Sequence, residues 1–249
     1  MKKILLLLSL SFSILFSATP KQIDEYLSLS KSDRSLLEIE QMIDQILPEE
    51  TSKNTESIKI KFREYLEKNL SEQEVIELNK LYRNPLFSVL VDIDPDIPEE
   101  ELMEFNRTLK ENPLSTERME LNNKILEGMF DEEIIEYMVV KMQNLMAKQF
   151  GIPSDVNLTK EDKKEMLSSM QEELKIPLLY QTQTLSLDEL KELEALSNSA
   201  LVLKTNKVVL HATFYAMEDF FHDIVQSMIN ESMKVLGVSN SNNATPKKE

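Results

Sequence analysis

Apolar residues recur at intervals of three and four along most of the chain, the spacing that places them on one face of an α-helix. Ser, Thr or Asp precedes several of these stretches, where its side chain would accept hydrogen bonds from free backbone amides. The pattern predicts an all-α fold, a multi-helix bundle. The predicted helices lie at about 35–47, 58–66, 71–82, 101–110, 131–150, 161–174, 186–196 and 201–236.

The last predicted helix, 201–236, has the widest apolar arc. Leu210, Phe214 and Met217 recur at alternating spacings of four and three, and Val209 and Ala212 widen the stripe. A helix that is apolar on several sides is buried on several sides. We therefore predict that it forms the centre of the bundle or the contact of a homodimer. The tail 239–249 is rich in Ser and Asn and is predicted to be disordered.

The chain resembles itself. Residues 70–86 align without gaps with 185–201, and 39–42 resemble 135–138 in the same order. The alternative is chance, since Leu and Glu are abundant throughout. Duplication predicts two similar helical halves, 19–115 and 116–238, which share the long C-terminal helix. The matching pairs are Leu70/Leu185, Ser71/Ser186, Glu74/Glu189, Glu77/Glu192, Leu78/Leu193, Leu81/Leu196 and Leu86/Leu201.

The N-terminus has the pattern of a secretory signal peptide. Lys2 and Lys3 precede an apolar run over 4–16, and the small residues Ser17 and Ala18 follow it. We expect cleavage after Ala18, so that residues 1–18 are removed and the mature chain is periplasmic. An uncleaved N-terminal anchor is the alternative, because bulky Phe16 stands where a small residue is usual.

Composition narrows the classes of partner. The chain has no Cys, which excludes disulfides and a lipid-modified cysteine. Its formal charge of −16 becomes −18 when Lys2 and Lys3 leave with the signal peptide. Such a surface repels phosphate backbones and anionic lipids, so we expect neither nucleic-acid binding nor membrane insertion after cleavage. Only three Gly residues are present, which fits a helical chain with few turns.

Residues 70–86 also carry a family resemblance. A helix that opens with Ser71-Glu72-Gln73-Glu74 and ends in Tyr82-Arg83-Asn84-Pro85 resembles a secreted bacterial helical family catalogued as domain of unknown function 2059. The preceding segment 36–42 is similar to the early helix of that family. Leu81 and Asn84 depart from its usual Phe and Ser, and the second half has Ser199-Ala200 in place of the proline. The resemblance implies a helical periplasmic protein and brings no catalytic residues.

The two histidines are the main candidates for metal or acid–base chemistry. His211 and His222 lie eleven residues apart, which places them on one helical face about 16 Å apart, too far to share an ion. Glu218 precedes His222 by one turn and could complete a site with groups from elsewhere, although such a pair is usually a surface contact. No zinc signature, Gly-rich phosphate loop or nucleophile motif is present. We assign no catalytic, cofactor or metal-binding residue.

Two further sequence features have ordinary explanations. Asp92, Asp94 and Asp96 begin like a calcium loop, but Ile97 occupies the position of the required Gly, so we predict an acidic linker. Acid-preceded glycosylation sequons occur in this acid-rich chain without needing a function. They begin at Asn69, Asn106 and Asn157.

The thirteen methionines are compatible with copper binding, but their spacing along the predicted helices favours a role in side-chain packing. Met138, Met142 and Met146 fall on one predicted stripe, where we expect flexible core filling or an adaptable peptide groove.

Our first functional hypothesis is therefore a non-catalytic periplasmic protein that binds other envelope proteins, in envelope assembly or chaperone-like work. The alternatives are a small-molecule or lipid carrier, which requires an apolar cavity, and a metal-dependent or carboxylate hydrolase that uses Glu218 and His222.

Overall fold

The computed structural model describes residues 17–34, 36, 53–91, 97–150 and 159–235. Side chains are described within these ranges up to residue 218, apart from 53–55, 145–146 and 148–150. The described part is helical almost throughout, so the all-α prediction is confirmed. Most of the first predicted helix, most of the predicted signal peptide, the acidic linker and the predicted disordered tail lie outside these ranges.

The first half contains a helix that the periodicity did not predict. Thr19 caps it and Pro20 occupies its first turn, where a missing N–H is harmless. Asn84 stands between two helices as expected, and Pro85 then begins a further short helix. The helices are α1 (Pro20–Ser30), α2 (Lys53–Asn69), α3 (Glu72–Tyr82), α4 (Pro85–Val91) and α5 (Glu99–Glu111).

The second half differs from the sequence prediction at two helices. Its first helix was not predicted, although Ser115 caps it by accepting a hydrogen bond from Arg118 N. The predicted end near residue 174 is wrong, because that helix continues through Pro177 and buries Leu178 and Leu179. The helices are α6 (Thr116–Met129), α7 (Glu132–Phe150), α8 (Lys160–Thr182), α9 (Leu187–Ser197) and α10 (Ala200–Val235).

Side-chain caps fix where several helices begin. At α3 the Ser71 hydroxyl accepts from Glu74 N, and the Glu74 carboxylate accepts from Ser71 N at 2.9 Å. The same reciprocal pair opens α9, between Ser186 and Glu189. Each pair satisfies two backbone donors that a helix start leaves free.

The long helix α10 takes part in two apolar cores. Ala212 and Ala216 are buried in the first core, with the Ile23 side chain of α1 and the Phe62 side chain of α2. Val202, near the start of α10, is buried in the second core, which is centred on α6, α8 and α9. Helix α10 therefore crosses from the core of one half to the core of the other.

The contacts among the helices follow a similar pattern within residues 19–115 and within residues 116–238. Helix α1 packs on α2 and α3, and α6 packs on α8 and α9 in the same way. Each half also extends one helix onto the other half: α4 contacts α8 and α9, while α10 contacts α2 and α3. The two halves are therefore interlocked.

Candidate functional site

A cavity of about 530 Å³ lies where the two halves meet. Its apolar wall is formed by side chains from both halves: Phe87, Leu90, Val91, Met129, Phe130, Ile134, Met138, Met170, Val202, Val209 and Leu210. The polar residues that line it are Tyr26, Ser30, Ser32, Tyr82, Ser197, Asn206 and Thr213. It has the largest apolar lining of the spaces that we describe, which makes it the candidate site.

Matched positions of the two halves face this cavity. Tyr82 and Ser197 are partners in the gap-free alignment of 70–86 with 185–201, and both line the cavity. Extending the alignment at the same spacing pairs Phe87 with Val202, and Val91 with Asn206, all four of which also line it. Residues of α4 and of the start of α10 therefore line the site together.

Hydroxyl groups in the second half of α1 and just after it form one polar edge of the cavity. The Tyr26 hydroxyl lies 3.1 Å from Ser32 Oγ, which lies 2.7 Å from Ser30 Oγ. Tyr26 also packs edge-on against Tyr82, with ring centroids 5.6 Å apart. Burial raises the pKa of Tyr26, and it raises the pKa of Tyr82 well above its ordinary value. Both phenols therefore remain neutral.

Asn206 on α10 is the other polar feature of the wall. Thr213 Oγ1 donates to Val209 O at 3.0 Å, and Ser197 Oγ donates to Glu194 O at 3.0 Å, so these hydroxyl donors are used within their own helices. The half-buried Asn206 amide has no hydrogen-bond partner among the side chains and backbone that the structure describes. It can offer both a donor and an acceptor to a ligand.

A second, charged cleft of about 440 Å³, here called the outer cleft, adjoins the cavity and shares Ile134 and Leu210 with it. Lys207 there forms ion pairs with Asp131, at 3.2 Å, and with Glu133. These pairs tie the start of α7 to α10 and place mixed charge outside the apolar cavity.

His211 lies in this outer cleft and stacks on Tyr137, with ring centroids 3.9 Å apart and an angle of 29° between the planes. Burial lowers the pKa of His211, and the nearby Lys141 lowers it further. Within the described ranges, no group of three His, Cys, Asp or Glu side chains could hold a metal ion. The Glu218–His222 pair of the hydrolase hypothesis stays untested, because the His222 side chain lies outside the described residues.

The other residues singled out in the sequence are scattered. Asn69 is the last residue of α2, and its amide donates to Tyr65 O at 2.7 Å; Asn106 lies inside α5. Met138 lines the cavity, but the core-filling prediction is wrong for Met142, which is 44% exposed. The three linker aspartates and the third sequon lie outside the described residues, as does the Met146 side chain.

Sequence reasoning missed the polar edge of the cavity because it missed α1. The helix begins with Thr19-Pro20-Lys21-Gln22, in which Gln22 Oε1 accepts from Thr19 N at 2.8 Å. A Thr and a Gln three residues apart, with Pro between them, is a recognisable helix start. That signal would have placed Tyr26 on a buried helical face.

Comparison of the chain with protein-family models, with curated proteins and with solved structures found no match. The family resemblance drawn from residues 70–86 therefore remains an expectation. Within the described part of the chain, every helix is too short or too polar to cross a lipid bilayer.

Proposed function

We propose that this protein is a non-catalytic binding protein that works outside the cytoplasm and holds a small apolar ligand in the cavity between its halves. The observation that carries the proposal is the cavity itself, whose volume of about 530 Å³ falls within the range of small-molecule sites. Its wall is mainly apolar with a few polar groups, the usual composition of such sites. This favours the carrier alternative over the other sequence-based hypotheses.

The lining of the cavity supports binding rather than catalysis. General acid–base catalysis needs a group that exchanges protons near neutral pH. The described wall contains no Asp, Glu, His, Lys or Arg, and the pKa values of both lining tyrosines are raised. His211 lines the neighbouring outer cleft and is not among the residues that line the cavity.

We also propose that the two halves arose by duplication, as residues 70–86 and 185–201 suggest. The corresponding contacts of α1 with α3 and of α6 with α9 support this origin. So do the matched Ser71 and Ser186 capping boxes. Joining two such units would create a cavity between them that neither unit encloses alone.

Export remains part of the proposal and rests on the pattern of residues 1–18. N-terminal sequencing of the protein from a periplasmic fraction should begin at Thr19. Recovery of the intact Met1 chain with the cytoplasm would contradict export.

Binding can be tested with N-phenylnaphthylamine, an uncharged dye whose fluorescence rises in apolar surroundings. We expect a saturable rise with one dye bound per chain, reversed by a competing aliphatic alcohol. A wild-type titration that never saturates, or shows no rise, would contradict the proposed function.

A pair of variants on α7 locates the site. Met138→Trp places a larger side chain in the cavity, and we expect dye affinity to fall at least about tenfold, because the volume is filled. Met142→Trp, one turn further along and 44% exposed, is the matched control and should bind as the wild type does. Thermal unfolding followed by circular dichroism would verify that both variants fold.

Binding of other envelope proteins remains a second candidate, favoured by exposed apolar side chains on neighbouring helices. Val140 and Met142 of α7 are 42% and 44% exposed, and Met166 of α8 is 39% exposed. The same variants separate the two functions in pull-downs from envelope extracts. Loss of a reproducible partner with Met142→Trp, but not with Met138→Trp, would favour protein binding through this surface.

A further inference from the structure

The central cavity differs from the outer cleft in its charge. The described cavity wall contains aromatic, aliphatic, hydroxyl and amide side chains, without a charged one among them. The outer cleft contains Glu133, Glu136, Lys141 and Lys207. Ile134 and Leu210 line both spaces, whereas these four ionic residues line the outer cleft alone. A ligand in the cavity would meet no counter-ion from the described wall.

This property constrains the ligand. A carboxylate or ammonium group loses its hydration when it enters an apolar cavity, and that loss is large unless a partner of opposite charge is present. An uncharged hydroxyl, ester or amide group loses much less hydration free energy, and one hydrogen bond within the cavity restores most of that loss. The formal charge of −16 on the chain adds a general repulsion of anions.

Asn206 offers the hydrogen bond that such a ligand needs. The serines of the hydroxyl edge already bond to each other and to Tyr26, at 2.7 and 3.1 Å. The Asn206 amide, by contrast, is unpaired within the described residues and lines the cavity. Its oxygen accepts and its nitrogen donates, a combination that suits an alcohol, which does both.

On the basis of the proposed function, we propose that the ligand is an uncharged amphiphile, an aliphatic chain with a hydroxyl, ester or amide group that hydrogen-bonds to Asn206. The chain fills the apolar part of the cavity between α4 and α10. The cavity thereby selects against fatty acids and alkylamines, whose charged groups would lack a partner.

Three ligands with the same chain test this selection. Decanol, decanoate and decylammonium differ only in the head group, and at about pH 8 the last two are charged. Isothermal titration calorimetry with the wild-type protein should show decanol binding at least about tenfold more tightly than either charged ligand. Decanoate or decylammonium binding as tightly as decanol would overturn the inference, yet leave the proposed function standing. If none of the three binds, and N-phenylnaphthylamine does not bind either, the proposed function fails as well.

A substitution at Asn206 tests the position of the head group. Asn206→Asp places a carboxylate of nearly the same shape in the cavity, so decylammonium should bind at least about tenfold more tightly than to the wild type, and decanol more weakly. Asn123→Asp makes the same charge change at an exposed position of α6 and should leave all three affinities unchanged. Equal effects of the two substitutions would contradict the role of Asn206. Asn206→Leu provides a second variant without a charge: it should weaken decanol binding and retain the dye.

Discussion

At the scale of single residues, Tyr82 shows how the cavity is linked to both cores. Its ring contacts Tyr26 edge-on at 5.6 Å, and Tyr26 belongs to the first core. The same ring contacts Phe87 at 5.1 Å, and Phe87 belongs to the second core. Aromatic pairs in this geometry are attractive beyond their buried area. One side chain at the end of α3 thus fixes the wall of the cavity relative to both halves.

The pKa of His211 predicts a pH effect on stability. Burial and Lys141 hold this pKa below its ordinary value of 6.5, so the folded protein binds this proton less readily than the unfolded chain does. Stability should therefore fall as the pH decreases below about 6.5, towards the pKa of the folded state. Urea unfolding of the wild type and of His211→Gln should show a smaller fall for the variant. His222 is present in both proteins, so parallel pH profiles would contradict this account.

Single residues also show what the sequence can predict. A helix that begins at Ser71 was predicted because capping is a local interaction, and in the structure Ser71 and Glu74 form a capping box at that helix start. Neither the exposure of Met142 nor the stacking of His211 on Tyr137 could be predicted in this way. Those features depend on the positions of α8 and α10 relative to α7. The spacing of residues within α7 does not predict these positions.

At the scale of helices, the end of α8 is determined by the side chains that it buries rather than by the spacing of its apolar residues. Proline interrupts a helical hydrogen bond, yet α8, which was predicted to end near residue 174, continues through Pro177. Leu178 and Leu179 beyond it are buried, and Thr182 Oγ1 lies 2.8 Å from the buried Asn122 Oδ1 of α6. These contacts outweigh the missing hydrogen bond. The partner helix α6 was not predicted either, so the predicted helices offered no reason to expect that α8 continues beyond Pro177.

The contact between α6 and α9 predicts an unusual response to Gly128→Ala. A Cβ at Gly128 would lie 2.9 Å from Asn198 Cγ and nearer still to its Oδ1. Asn198 Nδ2 donates to Lys124 O of α6 at 3.2 Å, and moving the side chain would break that bond. We expect a net loss of about 1–2 kcal/mol in the free energy of unfolding, measured with urea.

The same substitution should change sign in an Asn198→Ala background. With the Asn side chain removed, the clash disappears and the higher helix propensity of Ala should add up to about 1 kcal/mol. An equal loss in both backgrounds would show that Asn198 is not the obstacle.

At the scale of the whole molecule, the packing of α4 and α10 against the opposite halves explains where the cavity lies. Helix α4 packs on α8 and α9, and α10 packs on α2 and α3, and residues of both α4 and α10 line the cavity. The sequence predicted the all-α class and, from matched residues, two similar halves. It could not predict the cavity. The spacing of apolar residues identifies the buried face of a helix, but it does not identify the side chains of other helices that lie opposite that face.

The most direct measurement is a crystal structure of the wild-type protein with decanol. We expect electron density for one alkyl chain between α4 and α10, in contact with Phe87 and Val202, with its hydroxyl within hydrogen-bonding distance of the Asn206 amide. A cavity closed by its own side chains, or density only in the outer cleft beside His211, would contradict the account.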